Sequence, residues 1–108
     1  MTHPRKRYLL LELDLDPQEP GDQKIMYTRL IKTLKDLFGE FGLAQIELRS
    51  IESKENLMIV RCRRGREHMV RCAALMLAFM DGKPIKVRTL RVSGTLNSLK
   101  RFLNKGSI

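Results

Sequence analysis

The residues best suited to binding an anion are concentrated in the second half of this 108-residue chain. Residues 1–54 carry 9 Lys and Arg against 9 Asp and Glu, whereas residues 55–108 carry 12 against 3. Five arginines fall within residues 61–71, and a second basic segment spans 83–91. A solvated charge run is the simplest interpretation of either segment alone. The one-sided distribution of both favours a surface that faces a polyanion, because solubility does not require asymmetry.

A second candidate for anion binding is the segment Ser93-Gly94-Thr95, which lies at the start of a predicted helix. The first backbone N–H groups of a helix have no partner within it and carry the positive end of its dipole, so they can bind a phosphate. An ordinary N-cap would use the same residue types. Basic residues flank the segment on both sides: Arg88, Arg91, Lys100 and Arg101. These cations favour an anion contact.

Catalysis by the protein itself has few candidate residues. Glu12, Asp14 and Asp16 are spaced two apart and could bind Mg²⁺, although acids beside a proline-rich turn are usually only solvated. His3 and His68 are far apart in sequence, and no Ser or Cys has a recognisable nucleophile setting. We therefore expect no active site and no cofactor or metal bound by the protein.

Length and composition predict one domain spanning residues 1–108, with enough apolar residues to build a core. The longest apolar run, residues 72–80, is too short to cross a bilayer, and the N-terminus lacks the apolar core of a secretory signal. Cys62 and Cys72 are predicted to be small buried side chains rather than a disulfide. These features predict a cytoplasmic protein.

Hydrophobic periodicity predicts seven elements in the order strand, helix, strand, strand, helix, strand, helix. Alternation of apolar and polar residues predicts the strands at 7–14, 43–50, 57–63 and 84–92. Helical spacing of apolar residues predicts the helices at 22–38, 66–80 and 95–104. The order is that of an α+β, ferredoxin-like (RRM-like) βαββαβ sandwich with a four-stranded antiparallel sheet and two helices on one face. The extra C-terminal helix is expected to cover part of the other face or extend from its edge.

That other face is predicted to combine cations with a single aromatic side chain. Its expected residues are Tyr8, Ile59, Arg61, Arg63, Lys86 and Arg88. Arginines can bind phosphates, and Tyr8 is a candidate for stacking on an unpaired base. The strand at 57–63 lacks the aromatic residues of a standard RNA-recognition motif, so stacking of two bases is not expected.

Three stretches resemble the archaeal and eukaryotic ribonuclease P protein subunit that is known in archaea as component 2. Lys6-Arg-Tyr-Leu-Leu-Leu-Glu-Leu13 is similar to the opening strand of that family. Met58-Ile-Val-Arg-Cys62 leads through basic residues to an Ala-rich helix, as in the family. Val92-Ser-Gly-Thr-Leu96, followed by Lys100-Arg101, resembles the Gly-Thr turn and basic helix of the family.

The resemblance implies a subunit of the ribonucleoprotein that removes the 5′ leader from precursor tRNA. Catalysis would then belong to the RNA and its bound Mg²⁺, and the partners would be ribonuclease P RNA, precursor tRNA and a barrel-shaped protein subunit (component 3). The balanced first half, with the first helix and the nearby sheet edge, would face that protein partner. The predicted RNA-binding residues are Arg61, Arg63, Arg64, Arg66, Arg71, Lys86, Arg88, Arg91, Ser93, Gly94, Thr95, Lys100 and Arg101.

Two other functions remain open at this stage. A stand-alone RNA-binding or ribosome-associated protein would have the same basic surface but would bind RNA without a protein partner. A small phosphate-ester hydrolase is the lesser alternative, since folds of this type can place an Arg and an Asn on neighbouring loops.

Overall fold

A computed structural model of the chain describes residues 6–13, 22–77, 79 and 86–105. Its elements are β1 (Lys6–Leu13), α1 (Asp22–Ile46), β2 (Arg49–Lys54), β3 (Leu57–Arg63), α2 (Glu67–Met76), β4 (Val87–Ser93) and α3 (Leu96–Lys105). The strands form one sheet in the order β2-β3-β1-β4, and each neighbouring pair is antiparallel. The predicted ferredoxin-like fold is therefore confirmed.

One face of the sheet, called here the helix-covered face, packs against α1 and α2. Alternation along β1 and β3 directs apolar side chains to this face, because successive residues of a strand point to opposite sides. The buried residues that the two strands contribute are Leu9, Leu11, Leu13, Met58, Val60 and Cys62. On α2, the small side chains of Ala73 and Ala74 are buried in the same core, so the helix can lie close to the sheet.

The opposite face, called here the α3 face, is only partly covered by the described elements. The leucines Leu99 and Leu103 of α3 are buried with Leu10, Leu57 and Ile59 of the sheet. The prediction that the C-terminal helix covers part of the other face is thus confirmed. In the part of the chain that the structure describes, no helix is long and apolar enough to span a membrane.

The first helix and second strand differ from their predicted bounds. Gly39 does interrupt α1, with φ 75° and ψ 173°, a conformation that favours glycine, but the helix resumes and ends at Ile46. The segment 43–46 is therefore helical, and β2 begins at Arg49 rather than at residue 43. Leu43 and Ile46 are three residues apart, which is a helical spacing. Ala44, Ile46 and Leu48 alternate with polar residues, which is a strand spacing, so the segment fits both periods. The connection between β2 and β3 is shorter than the predicted strands at 43–50 and 57–63 imply, with only Glu55 and Asn56 between the two strands.

A β-bulge changes the predicted faces of β4. Leu10 pairs with Arg91, whereas Leu11 pairs with Thr89, so Leu90 is the extra residue. Strict alternation would have placed Arg91 on the helix-covered face, but the bulge places it on the α3 face with Leu10. The predicted strand and helix residues Asp14, Met80, Pro84 and Ile85 lie outside the described residues.

Candidate nucleic-acid interface

Four residues, one from each strand, form a row across the α3 face. Arg61 of β3 pairs with Arg49 of β2 on one side and with Tyr8 of β1 on the other, and Tyr8 pairs with Ser93 of β4. Paired residues of antiparallel strands project to the same face, and neighbouring strands lie about 4.8 Å apart, so the row is roughly 14 Å long. It joins two cations, a phenol and the segment that precedes α3.

The basic run after Arg61 extends this surface past the end of the sheet. Arg63 pairs with Lys6 of β1 in the adjacent row, and Arg64 lies exposed in the turn that follows β3. Gly65 completes that turn with φ 94°, a backbone conformation that L side chains rarely adopt. Arg66 has a different environment, because its Nη2 donates a hydrogen bond to Gln45 Oε1 at 3.0 Å.

The start of α3 has a cluster of three hydroxyl groups. Ser93 Oγ accepts a hydrogen bond from the Thr95 N–H at 3.1 Å and lies 3.1 Å from Ser98 Oγ. Ser98 Oγ also hydrogen-bonds Thr95 Oγ1. The bond from the Thr95 N–H fixes the residue just before the helix, and the hydroxyl contacts join that residue to Ser98 in the first turn of α3. Gly94 is exposed and its φ lies outside the left-handed region, so a side chain at this position would not strain the turn.

Arg7 is a cation beside this turn that the sequence patterns did not identify. Its Nη1 lies 3.6 Å from the position that a Cβ on Gly94 would occupy. Its Nε lies 3.6 Å from Glu67 Oε2, and the other oxygen of Glu67 accepts a hydrogen bond from the Gly65 N–H. Glu67 therefore orients the Arg7 guanidinium toward the start of α3. Alternation placed Arg7 on the core side of β1, and only the register shows that the strand end reaches Gly94.

The basic residues of β4 have partners within the protein. Arg88 forms an ion pair with Glu12, so the acid proposed for Mg²⁺ is paired with a cation. No cluster of three or more metal-binding side chains occurs among the described residues, and Asp14 and Asp16 lie outside them. The Arg91 guanidinium lies 4.5 Å from the centroid of the Phe102 ring of α3, a cation–π contact. Lys86 is exposed just before the strand.

The remaining predicted RNA-binding residues lie on helices. Arg101 of α3 is exposed and Lys100 is half-buried, and both belong to the helix on the α3 face. Arg71 is exposed on α2, which packs on the helix-covered face. The structure thus brings the cations of β3 and α3 to one side of the sheet and leaves Arg71 on the side of α1 and α2.

Tyr8 is half-buried, and its ring packs against the apolar cluster under α3. Ile51, Leu96 and Phe102 are partly buried around the same cluster. The helix therefore occupies the middle of the face where an RNA-recognition motif would present stacked bases. Stacking on Tyr8 stays a prediction, limited to the part of the side chain that remains exposed.

The two cysteines have different environments. Cys62 is buried on the helix-covered face, and burial raises the pKa of its thiol to about 12. Cys72 is exposed on α2, so the prediction that it is buried is wrong. The buried residues of α2, Val70, Ala73 and Ala74, fall at positions i, i+3 and i+4, and position 72 lies off this stripe on the solvent side of the helix.

The fold and the charged α3 face define the class: a ferredoxin-like α+β domain with a basic surface opposite its two sheet-packed helices. Within that class, the chain belongs to the Rpp14/Pop5 family, whose family model matches residues 7–104. This membership confirms the resemblance found in the three sequence stretches.

Relatives of this chain carry the name Ribonuclease P protein component 2. The protein from Methanosphaerula palustris is 30% identical over 102 residues, which cover 94% of this chain and 62% of that protein. The protein from Pyrococcus horikoshii is 33% identical over 104 residues, which cover 94% of this chain and 85% of that protein. The chain spans only about three fifths of the length of several of these relatives, at 62%, 58% and 60%.

A chain in the cryo-EM structure of yeast Ribonuclease MRP has a similar fold, with a TM-score of 0.65. The match covers 97% of this chain and 93% of that chain at 19% sequence identity. At this identity the likeness shows the fold alone.

Proposed function

We propose that this chain is a protein subunit of ribonuclease P, the ribonucleoprotein that removes the 5′ leader from precursor tRNA. The observation that carries the proposal is its membership of the Rpp14/Pop5 family over residues 7–104, together with relatives named Ribonuclease P protein component 2. The basic α3 face supports the same conclusion, because cations clustered on one face are typical of a nucleic-acid-binding surface.

The physical role of the subunit is electrostatic support of RNA. Folding a catalytic RNA and docking a second RNA on it bring phosphates together, and cations at the contact reduce the repulsion. Arg61, Arg63 and Arg64 are available for this role, because no carboxylate among the described residues forms an ion pair with them. Arg88, by contrast, is already paired with Glu12.

The partners that we propose are ribonuclease P RNA, precursor tRNA and the barrel-shaped protein subunit, component 3. Mg²⁺ would be bound by the RNA, which would carry the chemistry. The exposed apolar residues Ile25, Leu37 and Phe41 of α1 support a protein contact on the side away from α3. We expect the assembly in the cytoplasm.

Pull-down of the tagged chain from native extract, followed by sequencing of the bound RNA, tests the proposal. Enrichment of ribonuclease P RNA together with a second protein subunit is expected. Recovery of ribosomal RNA without a protein partner would instead support a stand-alone or ribosome-associated protein.

A cleavage assay on precursor tRNA separates the subunit from a self-sufficient enzyme. The purified chain alone should cleave nothing, and activity should appear only with the RNA and the partner subunits. Glu12→Gln with Asp14→Asn should leave the cleavage step intact in the assembly. Metal-dependent cleavage by the isolated chain that this double variant abolishes would contradict the proposal.

A further inference from the structure

An open cleft of about 660 Å³ lies where α1 ends and β2 begins. Three cations line it, Lys6, Arg49 and Arg61, together with the carboxylate of Glu47 and the ring of Tyr27. Arg49 and Arg61 are also the first two members of the row that crosses the α3 face. The cleft is therefore continuous with the proposed RNA-binding surface, at the end farthest from α3.

The cleft has an excess of positive charge at close range. Arg49 and Arg61 are directly opposite each other on neighbouring strands, an arrangement in which like charges repel. Lys6 lies 3.6 Å from Glu47, which partly neutralises it. Neither arginine has a carboxylate partner among residues 6–13, 22–77, 79 and 86–105. A bound anion would relieve the repulsion between the two arginines.

Arg61 also has an unsatisfied hydrogen-bond donor at this position. Its Nε is buried and has no hydrogen-bond partner in the described part of the chain. Buried donors in folded proteins almost always have a partner, so this Nε requires one that the chain does not supply, either a water molecule or a bound ion. The planar guanidinium matches the paired oxygens of a phosphate better than any other cation in proteins.

Tyr27 also lines the cleft, with its ring partly buried against the helix-covered core. Its hydroxyl donates a long hydrogen bond of 3.4 Å to the Leu48 carbonyl. Burial raises the pKa of the phenol, so the side chain is neutral at neutral pH and does not repel an anion. An aromatic face beside a cationic groove is the arrangement by which proteins bind unpaired nucleotides.

We propose that this cleft binds one phosphodiester of single-stranded RNA through Arg49 and Arg61, with an adjoining base against Tyr27. The inference rests on the proposed function, because it assigns a part of the RNA contact to a site that includes Lys6, Arg49 and Tyr27. Glu47 acts in the opposite direction, since it is the one carboxylate among the described lining residues and disfavours an anion.

Titration of the ¹⁵N-labelled full chain with the dinucleotide UpU, followed by NMR, tests the site directly. Saturable shifts are expected at Arg61 Nε–H and at the amides of 48–50, whereas uridine, which lacks the phosphate, should leave them unchanged. Equal shifts with uridine, or UpU shifts confined to residues 93–95, would overturn the proposal.

Substitutions with matched controls measure how much each charged side chain contributes to the binding of UpU. Arg49→Ala should weaken UpU binding about tenfold, the usual scale for a charge-assisted hydrogen bond. Lys54→Ala removes the same charge from the far end of β2 and should change the affinity by less than about twofold. Arg49 is exposed, so its replacement leaves the core intact. Equal effects of the two variants would mean that only net charge matters and would overturn the site.

Replacement of Glu47 is expected to strengthen the binding of UpU rather than weaken it. Glu47→Gln should strengthen UpU binding about two- to fivefold, because it removes the negative charge from the cleft. Glu40→Gln is the control, since Glu40 is also exposed and ion-paired with a lysine, Lys35 at 3.1 Å, but lies outside the cleft. A Glu47→Gln variant that binds UpU no better than Glu40→Gln would contradict the assigned role.

The proposal for the cleft and the proposed function can fail independently of each other. If wild type and Arg49→Ala both recover ribonuclease P RNA from extract and UpU produces no shift in the cleft, the cleft proposal fails and the subunit assignment stands. If UpU binds in the cleft with these mutational effects but no ribonuclease P RNA is recovered, the assignment fails and the nucleotide site stands.

Discussion

The two faces of the sheet are built from the same strands but have different roles in the molecule. On the helix-covered face, β1 places Leu9, Leu11 and Leu13 in a core that α1 and α2 close completely. On the α3 face, the same strand places Lys6, Tyr8, Leu10 and Glu12. Lys6 lies at a basic end of the sheet, Leu10 is part of the apolar cluster under α3, and Glu12 forms an ion pair with Arg88. A single helix covers only the apolar centre.

The comparison shows how a small domain divides stability and binding between its faces. Burial of apolar area is the main favourable term in folding, and most of it lies on the helix-covered face. The α3 face can therefore keep unpaired cations at the sheet end without losing the fold. Four predictions test this division, in order of decreasing effect.

Cysteine labelling should distinguish the faces most strongly. Cys62 can react with a maleimide only when the helix-covered face opens, whereas Cys72 is exposed. Domains of this size have unfolding free energies of about 5–15 kcal/mol, so Cys72 should react at least about a thousandfold faster. Burial raises the pKa of the Cys62 thiol to about 12, so a reactive thiolate forms at this position only when the face opens. Mass spectrometry of time points measures both rates; similar rates would mean that this face opens readily.

Core truncations should rank the two faces by their contribution to stability. Leu30→Ala, in the helix-covered core, should lower the free energy of unfolding by about 3–5 kcal/mol in urea titration. Leu99→Ala, in the smaller cluster under α3, should cost about 2–3 kcal/mol, since fewer neighbours lose contacts. Leu37→Ala is the control at a partly exposed position of α1 and should cost under about 1 kcal/mol. A larger loss from Leu99→Ala than from Leu30→Ala would reverse the assigned division.

RNA affinity should depend on salt through the α3 face. Replacing Arg61, Arg63 and Arg64 by Ala should reduce the slope of log affinity against log salt by about two units, since each phosphate contact contributes roughly 0.7–0.9. Lys24→Ala with Lys35→Ala removes exposed charges from α1 and should change the slope by less than about half a unit. Filter binding at several salt concentrations measures both slopes. Equal changes per charge removed would show that RNA does not distinguish the faces.

Gly94 provides the smallest and most local test. Gly94→Ala should change stability by less than about 0.5 kcal/mol, because a Cβ would meet only Arg7 Nη1 at an ordinary distance of 3.6 Å. Gly94→Asp should stabilise the fold by about 0.3–1 kcal/mol at the start of α3 beside Arg7. The same carboxylate should weaken RNA binding, whereas the neutral Gly94→Asn should not. Thermal melts and RNA titrations of the three variants measure both effects. If Gly94→Asp binds RNA as wild type does, the turn is only the start of a helix and does not contact a phosphate.

Several features of the candidate site followed from the sequence because they depend on local patterns. The alternation in 57–63 predicted β3 with its bounds, and the run after Arg61 predicted a basic surface at the end of that strand. Ser93-Gly94-Thr95 was predicted to lie at the start of a helix at 95–104, and α3 begins one residue later, at Leu96. By contrast, the second strand was placed six residues too early, because a short apolar run near Leu43 fits both periods.

By itself, the sequence determined the order of the elements, the apolar side of β1 and β3 and the excess charge of the second half, since each is a property of neighbouring residues. Only the tertiary structure decided which distant residues meet. Register placed Arg49 opposite Arg61 and brought Arg7 to Gly94, and the bulge at Leu90 moved Arg91 onto the α3 face. The physical reason is that strand pairing is set by contacts between segments far apart in the chain, and a shift of one residue exchanges the two faces.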